Sequence, residues 1–151
     1  MRSLYYFAYD PNMNEKNLHA LGISFLYKMK GTLFGYELVF SRNKTSLLPS
    51  GIATIIPNKK SFVEGIIYEL EDTNIWGTLD YRAYDLYHYE RKHLKAVFSD
   101  TLILPVNVYV AKEPEELKTL DPTNRHLADL LTAEPYLSAP YYERLQNVRT
   151  Y

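Results

Sequence analysis

The sequence has no cysteine, which removes disulfide frameworks, zinc ribbons, iron–sulfur centres and cysteine nucleophiles. An excess of charge of either sign is missing too: 17 Lys and Arg stand against 18 Asp and Glu, a formal net charge of −1. No global field therefore draws this surface toward nucleic acid or anionic lipid. Long hydrophobic runs are absent, and no window approaches the roughly 18 consecutive apolar residues of a spanning helix. The amino-terminal MRSLYYFAYDPNMNEKNL carries neither the apolar segment nor the cleavage pattern of a secretory signal. The expectation is a cytoplasmic protein that binds neither membrane nor nucleic acid. A Gly-rich phosphate loop, a dinucleotide fingerprint, a serine nucleophile elbow and a His pair at zinc spacing are all lacking. His19, His88, His93 and His126 are scattered, so no metal and no cofactor is expected.

What is present is ordinary globular material with one peculiarity. The 151 residues, 46% hydrophobic and 23% charged, suit a single domain, residues 1–151, with a self-sufficient core. Fifteen tyrosines against six Phe and one Trp put a hydroxyl on most of the aromatic mass. Tyrosine suits half-buried walls and polar pockets better than a dry core.

Leu4 to Tyr9 reads as a buried strand stopped by Asp10-Pro11-Asn12, and Asn14 caps a brief helix that Gly22 ends. Phe25 to Ser41 is strand material interrupted by Gly31 and Gly35. Residues 50–57 and 62–70 read as two strands joined by a hairpin turn at Pro57-Asn58-Lys59-Lys60. The period then changes, and a helix is predicted over Thr73 to Ala83, followed by strands over Tyr89 to Phe98 and Leu102 to Ala111. Two C-terminal helices close the chain within about residues 122–149, the first behind an Asp121 cap and the second with Pro140 in its first turn. The class is α+β and dominated by strands.

The fragments YFAYDPNM, GIATIIP, VEGIIYEL, LDYRAYDLYHYERKHLKAV and PTNRHLADLL with YYERL, in this order over nearly the whole chain, resemble the gamma-glutamylcyclotransferase family, including its gamma-glutamylamine branch. The resemblance implies a small mixed β-barrel with flanking helices. It also implies a chemistry in which the α-amine of a gamma-glutamyl group attacks its own side-chain carbonyl, releasing an amine or peptide and 5-oxoproline. No protein nucleophile is needed; the protein supplies a curled pose, a base for the ammonium proton and donors for the oxyanion. In the family a Tyr-Gly-Ser-Asn loop holds the substrate carboxylate through backbone N–H groups, and a Glu in a Leu-Asp-x-x-Glu-Gly segment takes the proton.

This sequence departs from both motifs. Tyr9 and Asn12 match the loop, but Asp10 stands for Gly and Pro11 for Ser. Proline removes one donor, and a carboxylate about 4 Å from an anion costs roughly 4 kcal/mol at an effective dielectric near 20. Leu79-Asp80 matches the second motif, and Tyr89-Glu90-Arg91 matches a Tyr-x-Arg six residues past the family's Glu, which assigns that Glu to Ala83 and the following Gly to Tyr84. A methyl group accepts no proton.

Three readings follow. In the first, ring closure is lost or weakened while a cavity lined by Tyr9, Asp10, Pro11, Asn12, Tyr84, Tyr87 and Tyr89 still takes a small polar ligand, with Asp10 favouring a gamma-glutamyl compound or amine with a cationic end. In the second, an active enzyme uses a relocated carboxylate, Asp85 or Asp10, with Asp80 the remaining candidate. In the third, the fold is an interaction scaffold, for example a homodimer formed through a sheet edge or the tyrosine-rich surface.

Overall fold

The computed structural model describes residues 4–42, 49–71, 75–87, 89–98, 102–112 and 120–151, without the side chains of 85–87. The strands are β1 (Tyr5–Ala8), β2 (Phe25–Ser41), β3 (Ile52–Leu70), β4 (Tyr89–Phe98) and β5 (Leu102–Ala111). The helices are α1 (Glu15–Ala20), α2 (Ile75–Tyr87), α3 (Asn124–Leu131) and α4 (Ala139–Gln146). Five strands close a barrel in the order β1-β3-β2-β4-β5. Neighbours run antiparallel except β1 and β5, which are parallel with Tyr6 opposite Asn107 and complete the circle. The mixed barrel and flanking helices are those that the family resemblance implies. Among the described residues no helix is long and apolar enough to cross a membrane.

Burial explains why β1 holds although it is short: Tyr6, Phe7, Ala8 and Tyr9 are all in the core. The second half of β3 is buried on both faces. On one face the Tyr68 hydroxyl donates to the carbonyls of Asn12 (2.8 Å) and Met13 (3.2 Å). Glu64, on that same face by alternation, accepts the N–H and the hydroxyl of Ser138, both at 2.6 Å. The N-terminus of α4 is thereby tied to the barrel.

Three expectations change. Residues 57–60 form no hairpin turn; β3 is one strand of 19 residues. Its turn chemistry is nevertheless expressed, because Asn58 Oδ1 accepts the Lys60 N–H at 3.0 Å. The result is a bulge: Phe34 pairs with Phe62 but Tyr36 pairs with Pro57, and Gly35 opposite takes φ +85°, a conformation that suits glycine. Second, α2 continues to Tyr87 instead of ending at Ala83. Neither glycine nor proline stands within Tyr84–Tyr87 to stop the helix. Third, Thr123 caps α3, its hydroxyl accepting the His126 N–H at 3.1 Å, while Asp121 pairs with Arg149 at 2.9 Å.

Candidate functional site

After β1 the chain enters a 3-10 turn over Pro11–Met13. Proline fits the first turn position, where its missing N–H leaves nothing unpaired. Asp10 caps the turn, and its carboxylate accepts the Asn12 N–H at 3.0 Å. The loop is then fixed from three elements. Asn12 Nδ2 donates to the Tyr6 hydroxyl at 2.9 Å, Tyr68 donates to the Asn12 carbonyl, and Asn17 Nδ2 donates to the Pro11 carbonyl at 2.7 Å.

Beside this loop lies a cavity of about 300 Å³, a size that suits a small ligand. Asp10, Pro11 and Asn12 form one wall, and Arg82 and Ala83 of α2 another. Tyr6, Tyr89 and Tyr109 supply the aromatic surface. Thr123, Arg125, His126 and Asp129, around α3, complete the enclosure.

Of the residues singled out in the sequence, Asp10, Pro11, Asn12, Ala83 and Tyr89 come together at this cavity. Tyr89 offers its ring, since its hydroxyl donates to the Ala53 carbonyl. Tyr9 is buried behind the wall, with its hydroxyl on the Tyr109 carbonyl at 2.5 Å. Because α2 extends past Ala83, Tyr84 lies on the outer surface, 59% exposed, with Lys112 Nζ 5.7 Å from its ring centre. The side chains of Asp85 and Tyr87 lie outside the described residues. Asp80 is occupied elsewhere: it accepts the Tyr109 hydroxyl at 2.5 Å and pairs with Arg91 Nε at 3.3 Å. Arg91 in turn stacks over Trp76, 4.9 Å from the ring centre. The Leu-Asp and Tyr-x-Arg motifs thus meet as a structural pair that fixes α2 against β4 and β5.

Burial perturbs Asp10 and His126 in the lining. Asp10 is pushed up to about 6 by desolvation, with the Asn12 N–H partly offsetting and the Asp129 charge adding. His126 is lowered to about 4, again by desolvation, with Asp129 opposing. Its Nε2 accepts the Ala53 N–H at 3.0 Å, so the neutral ring carries its proton on Nδ1. The Tyr6 hydroxyl is raised by burial first and by Asp10 second. Asp129 accepts from Asn14 Nδ2 at 2.9 Å and Asn17 Nδ2 at 3.3 Å.

Tyr6, Tyr109, Arg82, Arg125, His126 and Asp129 also line the cavity, although no motif in the sequence marks them as site residues. The one available signal is that His126 and Asp129, three apart on a helix, share a face. They stand in PTNRHLADLL, which carried the resemblance as a fold signature only.

The chain matches the family described as Gamma-glutamyl cyclotransferase, AIG2-like, over residues 6–129. A search of curated protein sequences gives no match. Among solved structures, a Gamma-glutamyl cyclotransferase superposes with a TM-score of 0.84 at 22% identity, covering 99% of this chain and 90% of that one. An uncharacterized protein from Homo sapiens gives 0.83 at 20% identity, covering 100% and 90%. A yeast gamma glutamyl cyclotransferase specific to glutathione gives 0.67 at 12% identity, covering 94% and 93%. At these identities the likeness to solved structures is one of fold.

Proposed function

The chain belongs to the Gamma-glutamyl cyclotransferase, AIG2-like family, and from that premise we propose that it keeps the ligand cavity but has lost, or much weakened, the ring-closing activity. The observation that carries this reading is Ala83 on the cavity wall, the residue to which the motif resemblance assigns the family's Glu. Ring closure needs the substrate ammonium to lose a proton before nitrogen attacks the carbonyl. A positioned base typically contributes about 10²- to 10⁴-fold, and alanine contributes none of it. Asp80, one helical turn away, is committed to Tyr109 and Arg91. The loop is weakened as a donor set as well, because Pro11 has no N–H and Asn12 gives its own to Asp10.

Incubation with gamma-glutamyl peptides and gamma-glutamyl-lysine, followed by detection of 5-oxoproline, tests the proposal. The wild type is expected to form little or none, and Ala83→Glu to raise the rate by at least about tenfold. Efficient turnover by the wild type overturns it.

One observation favours a second reading, an active enzyme with a relocated base. Asp10 lines the same cavity and titrates near 6, close to the value a general base needs at neutral pH. That reading requires wild-type turnover that Asp10→Asn abolishes.

A further inference from the structure

We propose that Arg82 and Arg125 form a carboxylate-binding subsite in the cavity, so that its ligand is a small zwitterion lying with its ammonium toward Asp10 and its carboxylate toward the two guanidiniums. The inference rests on the reading that the cavity binds a small ligand, and it names that ligand's class.

The loop after β1 cannot serve an anion. Its Asn12 N–H is taken by the Asp10 carboxylate at 3.0 Å, and Pro11 has none to offer. Asp129 adds a second carboxylate to the lining, held against the loop side by Asn14 and Asn17. This side of the cavity therefore attracts a cation and repels a carboxylate.

The compensating charge comes from two helices. Arg82 precedes Ala83 on α2, and Arg125 lies in the first turn of α3, one turn before Asp129; both line the cavity. Other arginines are engaged: Arg91 and Arg149 in ion pairs, Arg144 over the rings of Phe62 and Tyr141. Arg82 and Arg125 are exposed and, among the described residues, have neither an ion pair nor a ring beneath them. A guanidinium presents a planar fork that matches a carboxylate bidentately. Two acids and two guanidiniums balance, so a ligand of no net charge with separated ends leaves no lining charge uncompensated. A cavity of about 300 Å³ holds a molecule of amino-acid size.

Three probes with the same four-carbon frame separate the possibilities: 4-aminobutyrate, butane-1,4-diamine and succinate, followed on the full chain by calorimetry and by melting temperature at low salt. Binding of 4-aminobutyrate is expected, with succinate and the diamine at least about tenfold weaker. Arg82→Gln and Arg125→Gln should each weaken 4-aminobutyrate by about tenfold, with unchanged melting temperature in the absence of ligand because both side chains are exposed. Equal binding of succinate or the diamine, no binding of 4-aminobutyrate, or unchanged affinity in both variants overturns the proposal. Tighter binding of phosphoethanolamine than of 4-aminobutyrate overturns the carboxylate assignment. Binding reads this inference and 5-oxoproline formation reads the loss of activity, so either can fail while the other stands.

Discussion

The carboxylate of Asp10 occupies the place in its own loop that a ligand anion would need, because it accepts the Asn12 N–H that the cap position directs toward it. Asp10 thus does two things: it satisfies the 3-10 turn and makes that wall of the cavity acidic. Asp10 and Ala83 are legible in the sequence because flanking residues of each local motif are kept, Tyr9 and Asn12 around the first, Leu79-Asp80 and Tyr89-Glu90-Arg91 around the second, so the departure is visible by position. Arg82 and Arg125 are not, since an exposed arginine on a helix is ordinary until the fold turns two of them to one cavity. A further single-residue constraint lies behind the loop. A Cβ on Gly65 would stand 2.2 Å from the Ala8 carbonyl oxygen and 3.1 Å from the Phe7 ring, and the backbone of β1 cannot yield without moving Tyr9 and Asp10. Gly65→Ala should cost about 1–3 kcal/mol or more, read as a lower denaturation midpoint; an unchanged midpoint would mean that β1 does not approach this closely.

At the scale of elements, α3 is the piece that completes the cavity. It brings Arg125, His126 and Asp129 to the cavity from more than seventy residues beyond β3's first residues, where His126 accepts the Ala53 N–H. Its orientation depends on the Thr123 cap, whose hydroxyl takes the N–H of His126 itself. Thr123→Ala should cost about 0.5–2 kcal/mol of stability and weaken binding of 4-aminobutyrate, whereas Thr123→Ser, which keeps the acceptor, should leave both near wild type. Loss of stability with unchanged binding would separate the cap from the site. Periodicity and turn residues make the elements legible, and the ends of β2, β4 and β5 with them; the end of α2 and the course of residues 57–60 are not. Pro57-Asn58-Lys59-Lys60 has the composition of a hairpin turn, yet pairing along β2 on both sides of Gly35 turns the same residues into a bulge. Likewise, α2 runs on to Tyr87 because neither glycine nor proline stops it, which leaves Tyr84 on the outer surface and not in the cavity.

For the whole molecule, the cavity couples folding stability to pH through two groups of opposite sign. Asp10 titrates near 6 in the folded protein and at 3.8 ordinarily, so between these values the folded state holds more protons than the unfolded one. Its contribution to stability therefore falls as pH rises through that window. His126 titrates near 4 instead of 6.5; here the unfolded state holds more protons, and stability rises with pH over nearly the same window. Each displacement corresponds to on the order of 3 kcal/mol, so in the wild type the two largely cancel. Removing one member exposes the other. Relative to wild type, Asp10→Asn should gain stability as pH is raised from 4 to 6.5, while His126→Gln, which keeps an acceptor for the Ala53 N–H, should lose it. Urea unfolding at several pH values measures both differences; carboxylates distant from the cavity, common to all three proteins, drop out of them, and Asp129, which acts on both groups, stays with them. A flat difference for Asp10→Asn would mean that its carboxylate is as well solvated as in the unfolded chain, and the acidic wall of the cavity would lose its physical basis.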